Sequence, residues 1–413
     1  QNKESVGILG ENNSTLTNSG KIELQKDKSA GIYGKDSNIT NSGASSNGIY
    51  INDEKSAGIY GLLTSAATGT KTLNNIGLIK VDNSKSGSAG IYAKLDTSAA
   101  NKLSTQNSGD IEVVQSGSAG IYAENGSTQI NTQSDVTNSG LVKMTGSSSV
   151  GIIGDKSKIT NSGTGTSKGI EISGAGSAGI LASNNSEVIN SGRIEGNTGT
   201  KLVGISVDET STVINSGSII MNTAQNTGIA SKGGQVTNSG TITLVKNNST
   251  GISAENADVI NSAGAKIEVK DKESVGIYAK MSGNVDKKVT NTGTITLESP
   301  TGTTPNKSAA IYSLVDSGTG ILTTENNETI NVDQTDSVGI FAQNNGAGYT
   351  AQNAGKIILG KEDGTSANES LIGMFAQAEA GKTASVQNTG TIDVNTKKSV
   401  GMYAKNDDKN TVG

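Results

Sequence analysis

The side chains that usually carry enzyme chemistry are scarce in this sequence. It contains no Cys and no His, which removes disulfides, imidazole bases and most zinc sites. The acidic pairs Asp333/Asp336 and Asp407/Asp408 have no second carboxylate or basic partner at a fixed repeat position, and Gly-Gly-x-Gly-x-Asp calcium repeats are missing. We therefore expect no catalytic residue, no metal site, no cofactor and no enzyme.

Aromatic side chains are the remaining candidates, because they recur at one position of a repeated motif, Ser-Ala/Val-Gly-Ile-Tyr-Ala. Alternation along a strand turns this aromatic outward when the preceding Ile points inward. Exposed aromatic patches usually mark contact sites, so we expect a ligand-contact surface here, although the rings could instead only shield the sheet. The candidate residues are Tyr33, Tyr60, Tyr92, Tyr122, Tyr278, Tyr312, Phe341, Phe375 and Tyr403.

Self-similarity organises the whole chain. The aromatic motif alternates with a second motif, Asn-Ser/Thr-Gly-x-Ile-x-Leu/Val, which is usually preceded by a short β-branched step. Each repeat of about 23 to 34 residues thus supplies three short strands with apolar residues at every second position. This pattern predicts an all-β, right-handed parallel β-helix with three short strands per coil and about fifteen coils.

The alternation also predicts which side chains face the core. In the first motif it places Ala30 and Ile32 inside and Gly31 and Tyr33 outside. One outward column of alternating charge is predicted to specify register. Its members are Lys80, Glu112, Lys143 and Glu171. The inward Ile position is predicted to form one buried column that includes Ile32, Ile91, Ile121 and Ile277.

The Asn of the second motif is predicted to form a buried column of amides that hydrogen-bond from coil to coil. The Gly two residues later is expected to supply a positive φ angle for the turn. The column comprises Asn18, Asn41, Asn75, Asn107, Asn138, Asn161, Asn190, Asn215, Asn238, Asn261, Asn291, Asn353 and Asn388.

Composition limits the class of protein. The chain of 413 residues has 55 Gly and no Trp, which is unlike a layered globular domain. Its net charge of −5, its acidic pI and its scattered Lys residues argue against a nucleic-acid groove. Ile, Val and Leu recur in register, which argues against disorder. No apolar run approaches about 18 residues, and no secretory signal begins at Gln1. We expect a fragment of a longer precursor whose targeting and anchoring segments lie outside it.

The paired motifs, Ser-Val-Gly-Ile-Tyr-Ala and Ile-Thr-Asn-Ser-Gly-Thr-Ile, resemble the passenger repeats of large type V autotransporter adhesins of the fusobacterial kind, the RadD-like group. The resemblance covers nearly the whole chain. It implies display on the surface of a Gram-negative bacterium through an outer-membrane barrel outside this fragment. It also implies coaggregation or host-cell attachment through surface proteins or glycans, without contact to nucleic acid.

Two alternatives to an adhesin remain, a structural stalk that projects a distal domain and a polysaccharide-degrading β-helix enzyme.

We expect one β-helical domain over 1–413, a monomeric rod. Residues 1–149 and 281–413 are expected to have longer corner loops, and residues 150–280 to form compact spacer coils, because the aromatic position there holds smaller or aliphatic residues: Ile153, Leu181, Ser206, Ala230 and Ser253. The predicted loops are Leu62–Thr72, Lys94–Thr105, Glu124–Asp135, Glu298–Lys307 and Ser313–Glu328.

Overall fold

The computed structural model describes residues 5–82, 85–97, 101–126, 134–298 and 306–407. These described residues form 43 β-strands and one short 3₁₀ helix, Ser45–Asn47, and none of their helices is long and apolar enough to cross a membrane. The chain divides into two compact units, Gln1–Thr212 and Val213–Gly413. The predicted fold class is confirmed, because consecutive coils each contribute three short parallel strands to a right-handed β-helix.

In the first unit the strands are β1 (Val6–Glu11), β2 (Thr15–Asn18), β3 (Ile22–Leu24), β4 (Ala30–Lys35), β5 (Asn38–Asn41), β6 (Ile49–Ile51), β7 (Ala57–Thr64), β8 (Lys71–Asn75), β9 (Leu78–Val81), β10 (Ala89–Asp96), β11 (Leu103–Asn107), β12 (Asp110–Val113), β13 (Ala119–Asn125), β14 (Ser134–Asn138), β15 (Leu141–Met144), β16 (Val150–Asp155), β17 (Ser157–Asn161), β18 (Gly169–Ile172), β19 (Ala178–Ser183), β20 (Glu187–Asn190), β21 (Arg193–Gly196) and β22 (Val203–Val207).

From the unit boundary onward the strands are β23 (Thr212–Asn215), β24 (Ser218–Met221), β25 (Thr227–Ser231), β26 (Val236–Asn238), β27 (Thr241–Leu244), β28 (Thr250–Glu255), β29 (Val259–Asn261), β30 (Lys266–Val269), β31 (Val275–Met281), β32 (Lys287–Asn291), β33 (Thr294–Leu297), β34 (Ala309–Val315), β35 (Ile321–Asn326), β36 (Thr329–Val332), β37 (Val338–Asn344), β38 (Gly348–Asn353), β39 (Lys356–Leu359), β40 (Ile372–Glu379), β41 (Ala384–Asn388), β42 (Thr391–Val394) and β43 (Val400–Asp407).

Within each unit, strands pair in parallel with the strand three places later, which gives three sheets. The first sheet holds the strands of the aromatic motif, in the order β1-β4-β7-β10-β13-β16-β19-β22 in the first unit and β25-β28-β31-β34-β37-β40-β43 in the second. In the second sheet the strands end at the Asn column. The strands of the third sheet contain the apolar end of the second motif. Equivalent residues lie directly above one another in this arrangement, for example Ile91 and Ile121.

The predicted column of inward Ile side chains is confirmed. Ile32, Ile91 and Ile121 in the first unit are completely buried, and so is Ile277 in the second. The charge column is also in the predicted register, since Glu112 is paired with Lys80 on one side and with Lys143 on the other. Its half-exposed charges contribute little to stability, so its effect is mainly on register.

The predicted faces of Ala30 and Gly31 are wrong. Ala30 lies on the outer face beside Tyr33, and a Cβ added to Gly31 would meet the inward side chain of Ile49 at 3.0 Å. Gly31 and Ile32 therefore both face the core, which breaks the alternation once in every first-sheet strand. The same Cβ would lie 2.6 Å from the carbonyl oxygen of Gly58, so the close approach of the next coil favours glycine here.

The buried Asn column is confirmed. In the first unit each side-chain amide donates to the Oδ1 of the next Asn at 2.7–2.9 Å, from Asn18 to Asn190. In the second unit the same bonds measure 2.6–2.8 Å, from Asn215 to Asn388. Asn326 is a further member that the motif search missed, because Glu328 stands where the motif has glycine.

Where a glycine stands two residues after a ladder Asn, it does not have a positive φ angle, contrary to prediction. A Cβ on Gly140 would lie 2.0 Å from the carbonyl oxygen of Gly109 in the preceding coil, so these residues are glycine because the backbones approach closely. Left-handed residues stand instead at the corner before the first sheet, including Lys28 (φ 56°), Lys55 (φ 52°) and Gly87 (φ 80°).

Leu62–Thr72 and Ser313–Glu328 were predicted to be loops, but each range contains strand residues near both of its ends. Strand β7 continues to Thr64 and β34 to Val315, so only short connections lead to β8 and β35. The extra residues mostly lengthen the first strand, and the inward ones, such as Leu63, add to the core. The other predicted loops, Lys94–Thr105, Glu124–Asp135 and Glu298–Lys307, include residues outside the described part of the chain.

Candidate binding surface

The outward aromatic position follows from the break in inward–outward alternation at the motif glycine of the first-sheet strands. Because Gly31 and Ile32 both face inward, Ala30 and Tyr33 both face outward and flank the same strip of surface. The four coils that carry Tyr33, Tyr60, Tyr92 and Tyr122 therefore each present one alanine and one tyrosine on the outer face. Stacking of coils turns these into two parallel columns, one of small residues and one of rings.

The four candidate tyrosines of the first unit form one continuous column of rings, which we call the first aromatic ladder. Ring centroids lie 5.1 Å apart between Tyr33 and Tyr60, 4.9 Å between Tyr60 and Tyr92, and 5.2 Å between Tyr92 and Tyr122. All four rings are partly exposed. Such contacts stabilise the column by about 0.5–1.5 kcal/mol per pair while leaving one face of the ladder to solvent.

The five candidate residues of the second unit form the second aromatic ladder. Their consecutive ring centroids lie 4.7–5.3 Å apart, from Tyr278 through Tyr312, Phe341 and Phe375 to Tyr403. The rings of Phe341 and Phe375 are nearly parallel, with an interplanar angle of 7°. All nine sequence-predicted residues are thus brought together, in one ladder per unit, while their role in ligand contact remains a prediction.

A groove runs beside the first aromatic ladder. Its floor is the column Ala30, Ala57, Ala89 and Ala119, and it encloses about 780 Å³. Its far rim is the column of corner residues with left-handed backbone, Lys28, Lys55, Gly87 and Gly117. We call this feature the tyrosine groove.

The floor position differs in the second unit, where the chain mostly has larger residues beside the rings. Val275, Val338 and Ile372 are partly exposed there, beside Tyr278, Phe341 and Phe375. Branched side chains at this position fill the space that the alanines leave open. The distinction could be read from the motifs, since Ser-Ala-Gly-Ile-Tyr occurs in the first unit and Ser-Val-Gly-Ile-Tyr or Ser-Val-Gly-Ile-Phe in the second.

Burial affects the phenols of the first ladder. Partial loss of solvent raises the pKa of Tyr33, Tyr60 and Tyr122, because the charged phenolate is disfavoured there. The pKa of Tyr92 is raised further, first by burial and then by the hydrogen bond that its hydroxyl donates to the Glu124 carboxylate. The ladder therefore presents neutral phenols at physiological pH.

A serine column also lines the groove and was missed by sequence reasoning. The backbone N–H of Ser29 donates to Oγ of Ser56 at 3.0 Å, and that of Ser56 donates to Oγ of Ser88 at 3.2 Å. The hydroxyl of Ser88 in turn donates to the carbonyl of Asp53 at 2.8 Å. The signal was present, because a Ser opens almost every copy of the first motif.

Of the acidic residues considered for chemistry, Asp333 and Asp336 have their surroundings described. The Asp333 carboxylate accepts hydrogen bonds from Ser366 and from Asn368, the latter at 2.8 Å. Asp336 is a corner residue with left-handed backbone, and Asp408 lies outside the described residues. Within the described ranges, no cluster of three or more acidic side chains could hold a metal ion.

Fold and surface together define the chain as a parallel β-helix repeat protein with outward aromatic ladders. A family model for the BigA third pectate lyase-like domain matches residues 250–381 and, in an overlapping second match, residues 303–411. This part of the second unit is therefore similar to a β-helical domain of a bacterial surface protein. Neither the curated proteins nor the solved structures gave a significant match.

Proposed function

We propose that the chain is a passenger segment of a bacterial cell-surface adhesin, in which the β-helix holds aromatic contact surfaces on a rigid support. The observation that carries the proposal is the pair of outward ladders, because each places four or five rings in register where neither the Ile core nor the Asn column requires them. Exposed aromatic strips of this extent are typical of contact sites.

Two further observations support surface display. The similarity of residues 250–411 is to a domain of a bacterial surface protein, and the repeat motifs resemble those of fusobacterial type V autotransporter adhesins of the RadD-like group. On this proposal the chain is displayed outside the outer membrane of a Gram-negative bacterium. Its partners are surface proteins or glycans of other bacteria or of host cells, and it is neither an enzyme nor a nucleic-acid-binding protein.

A purely structural stalk is the second candidate. It is favoured by the half-buried state of the rings and by the bond between the Tyr92 hydroxyl and Glu124, which show that the ladder also packs against the sheet. A stalk would use the rings to shield the first sheet and would bind nothing itself.

The test is binding of the purified chain to bacterial and epithelial cells and to a glycan array. An adhesin segment should bind a defined subset of cells or glycans in a saturable manner. The matched variant is Tyr60→Ser with Tyr92→Ser, because the chain itself has serine at this position in Ser206 and Ser253. Absence of saturable binding by the parent chain would favour the stalk.

A further inference from the structure

We propose that the tyrosine groove binds an extended acidic oligosaccharide along the stacking direction of the coils. This inference rests on the proposed adhesive function and assigns a ligand class to one of its two ladders. It begins from the shape of the site, because the groove lies where a column of alanines runs beside a column of tyrosines. A long, narrow, apolar channel of this kind suits a linear chain of flat rings.

The lining favours sugar rings. Tyrosine faces pack well against the C–H faces of pyranose rings, and the alanine floor lets such a ring approach the sheet closely. Among the described residues, the hydroxyls of Tyr33 and Tyr60 have no hydrogen-bond partner, so they can bond to sugar hydroxyls. Coils advance by about 4.8 Å, which is close to the length of one sugar unit in an extended chain, so each ring can contact one unit.

The charge of the lining favours an acidic ligand. Lys28 and Lys55 are the charged side chains on the groove, and both lie on the far rim. Asp27 and Asp53, which lie on the same corners, are paired with Lys85. Lys55 has only a loose contact to Glu54, at 3.8 Å. A carboxylate or sulfate on the ligand can therefore be bound at this end of the groove.

A peptide is the less suitable occupant. A bound strand needs free backbone groups for β-augmentation, but the rim groups already bond to the next coil. The N–H of Lys28 donates to the carbonyl of Glu54 at 3.1 Å, and that of Gly87 donates to the carbonyl of Gly117 at 3.1 Å. An extended peptide along the groove would leave its own backbone groups without partners, whereas a sugar chain needs only side-chain and solvent contacts.

Filling the groove is the direct test. Ala57→Ile with Ala89→Ile gives the floor the residue type that the second unit has at Ile372, and the rings stay in place. Affinity for a heparin octasaccharide, measured by isothermal titration calorimetry on the full chain, should fall by at least about tenfold. The matched control is Ala309→Ile beside Tyr312, which should leave the affinity unchanged.

Charge is tested separately. Lys28→Asn with Lys55→Asn keeps a residue that tolerates left-handed backbone and removes both cations. Binding should weaken by about tenfold and lose most of its dependence on salt, whereas Lys307→Asn, at the equivalent corner of the second unit, should have no effect. Alginate oligomers should compete with heparin, and maltooctaose should not.

The outcomes separate this inference from the proposed function. Saturable cell binding that neither acidic oligosaccharides nor the two groove variants affect would overturn the groove assignment and leave the adhesin proposal standing. Stronger competition by an oligoglutamate peptide than by heparin or alginate would overturn the sugar assignment. No cell binding by the parent chain would instead count against the proposed function.

Discussion

Single residues in this chain are important mainly because each one is repeated. Asn138 accepts a hydrogen bond from Asn107 at 2.7 Å and donates one to Asn161 at 2.8 Å. One side-chain amide is therefore hydrogen-bonded to both neighbouring coils. The Asn column could be predicted from the sequence, since its period is explicit. The close approach at Gly31 could not be predicted, because it depends on how near a carbonyl of the neighbouring coil comes, and one coil's sequence does not show that distance.

Asn138→Ala should lower the free energy of unfolding by about 1–3 kcal/mol, because it leaves buried amide groups of two neighbouring coils without partners. Chemical denaturation measures the change. Thr137→Ala is the matched control, since Thr137 precedes it on the same strand and points into solvent. Equal stability of the two variants would show that the amide column contributes nothing to folding.

Tyr349 is a polar residue in the core of the second unit. Burial raises its pKa to about 12, against smaller opposing contributions from the hydroxyls of Ser313 and Thr324. These two hydroxyls form a hydrogen bond with each other at 2.8 Å. The Tyr349 hydroxyl is buried and has no hydrogen-bond partner among the described residues. Its ionisation is therefore costly in the folded chain.

An alkaline instability follows from this burial. The unfolded phenol ionises at a pKa near 10, so between about pH 10 and pH 12 the unfolded state gives up this proton first and stability falls as pH rises. Below about pH 10 both states are protonated and the residue makes no pH-dependent contribution. The loss of stability between pH 9 and pH 11 should be smaller for Tyr349→Phe than for the parent chain. An identical pH dependence in denaturant titrations would show that this phenol is not buried.

At the scale of the strand, the alternation predicted most faces correctly and failed at one position. In the second and third sheets the inward and outward residues follow a period of two, and the buried columns were predicted from it. In the first sheet the pair Gly31 and Ile32 breaks the period, at the position where the next coil approaches closely. A pattern rule that assumes regular pleating cannot locate such a break.

The glycine after the ladder Asn offers a matched pair of substitutions. Gly140→Ala would place a Cβ 2.0 Å from the carbonyl oxygen of Gly109, whereas Gly20→Ala would meet nothing within 4 Å. Neither residue has a positive φ angle, so backbone strain does not differ between them. Gly140→Ala should lower the thermal midpoint by several degrees and Gly20→Ala by little. Equal midpoints would contradict the close-approach account.

The inward column of Ile side chains gives a prediction for the first sheet. Ile121→Asp places an unpaired charge in a fully buried position and should cost several kcal/mol of stability. Ile153→Asp makes the same change at a partly exposed position of the outer column in the next coil, and it should be tolerated. Circular dichroism melting curves of the two variants measure the difference. Similar midpoints would mean that the face assignment is wrong.

For the molecule as a whole, repetition supplies order that composition alone would not predict. Aromatic residues make up 3% of the chain, and a layered globular core normally needs more. Here narrow columns of Ile, Val and Leu form the core, and columns of Asn and Ser satisfy the corners. Fold class, buried columns and the nine ladder residues could be predicted from the repeat. The tyrosine groove could not, because it required knowing that Ala30 faces outward.

The central claim is that the core columns hold the fold while the outward rings are available for binding. It is tested most directly by comparing two pairs of substitutions in the same two coils, Tyr60→Ser with Tyr92→Ser and Asn75→Ala with Asn107→Ala, for both cell binding and thermal melting. Asn75 donates to Asn107 at 2.8 Å, and the two rings lie 4.9 Å apart. We predict that the tyrosine pair loses cell binding and melts only modestly earlier, because three ring contacts are lost, whereas the asparagine pair melts earlier still but binds while folded. A chain that keeps its binding without the tyrosines, and melts much earlier for lack of them, would contradict the account.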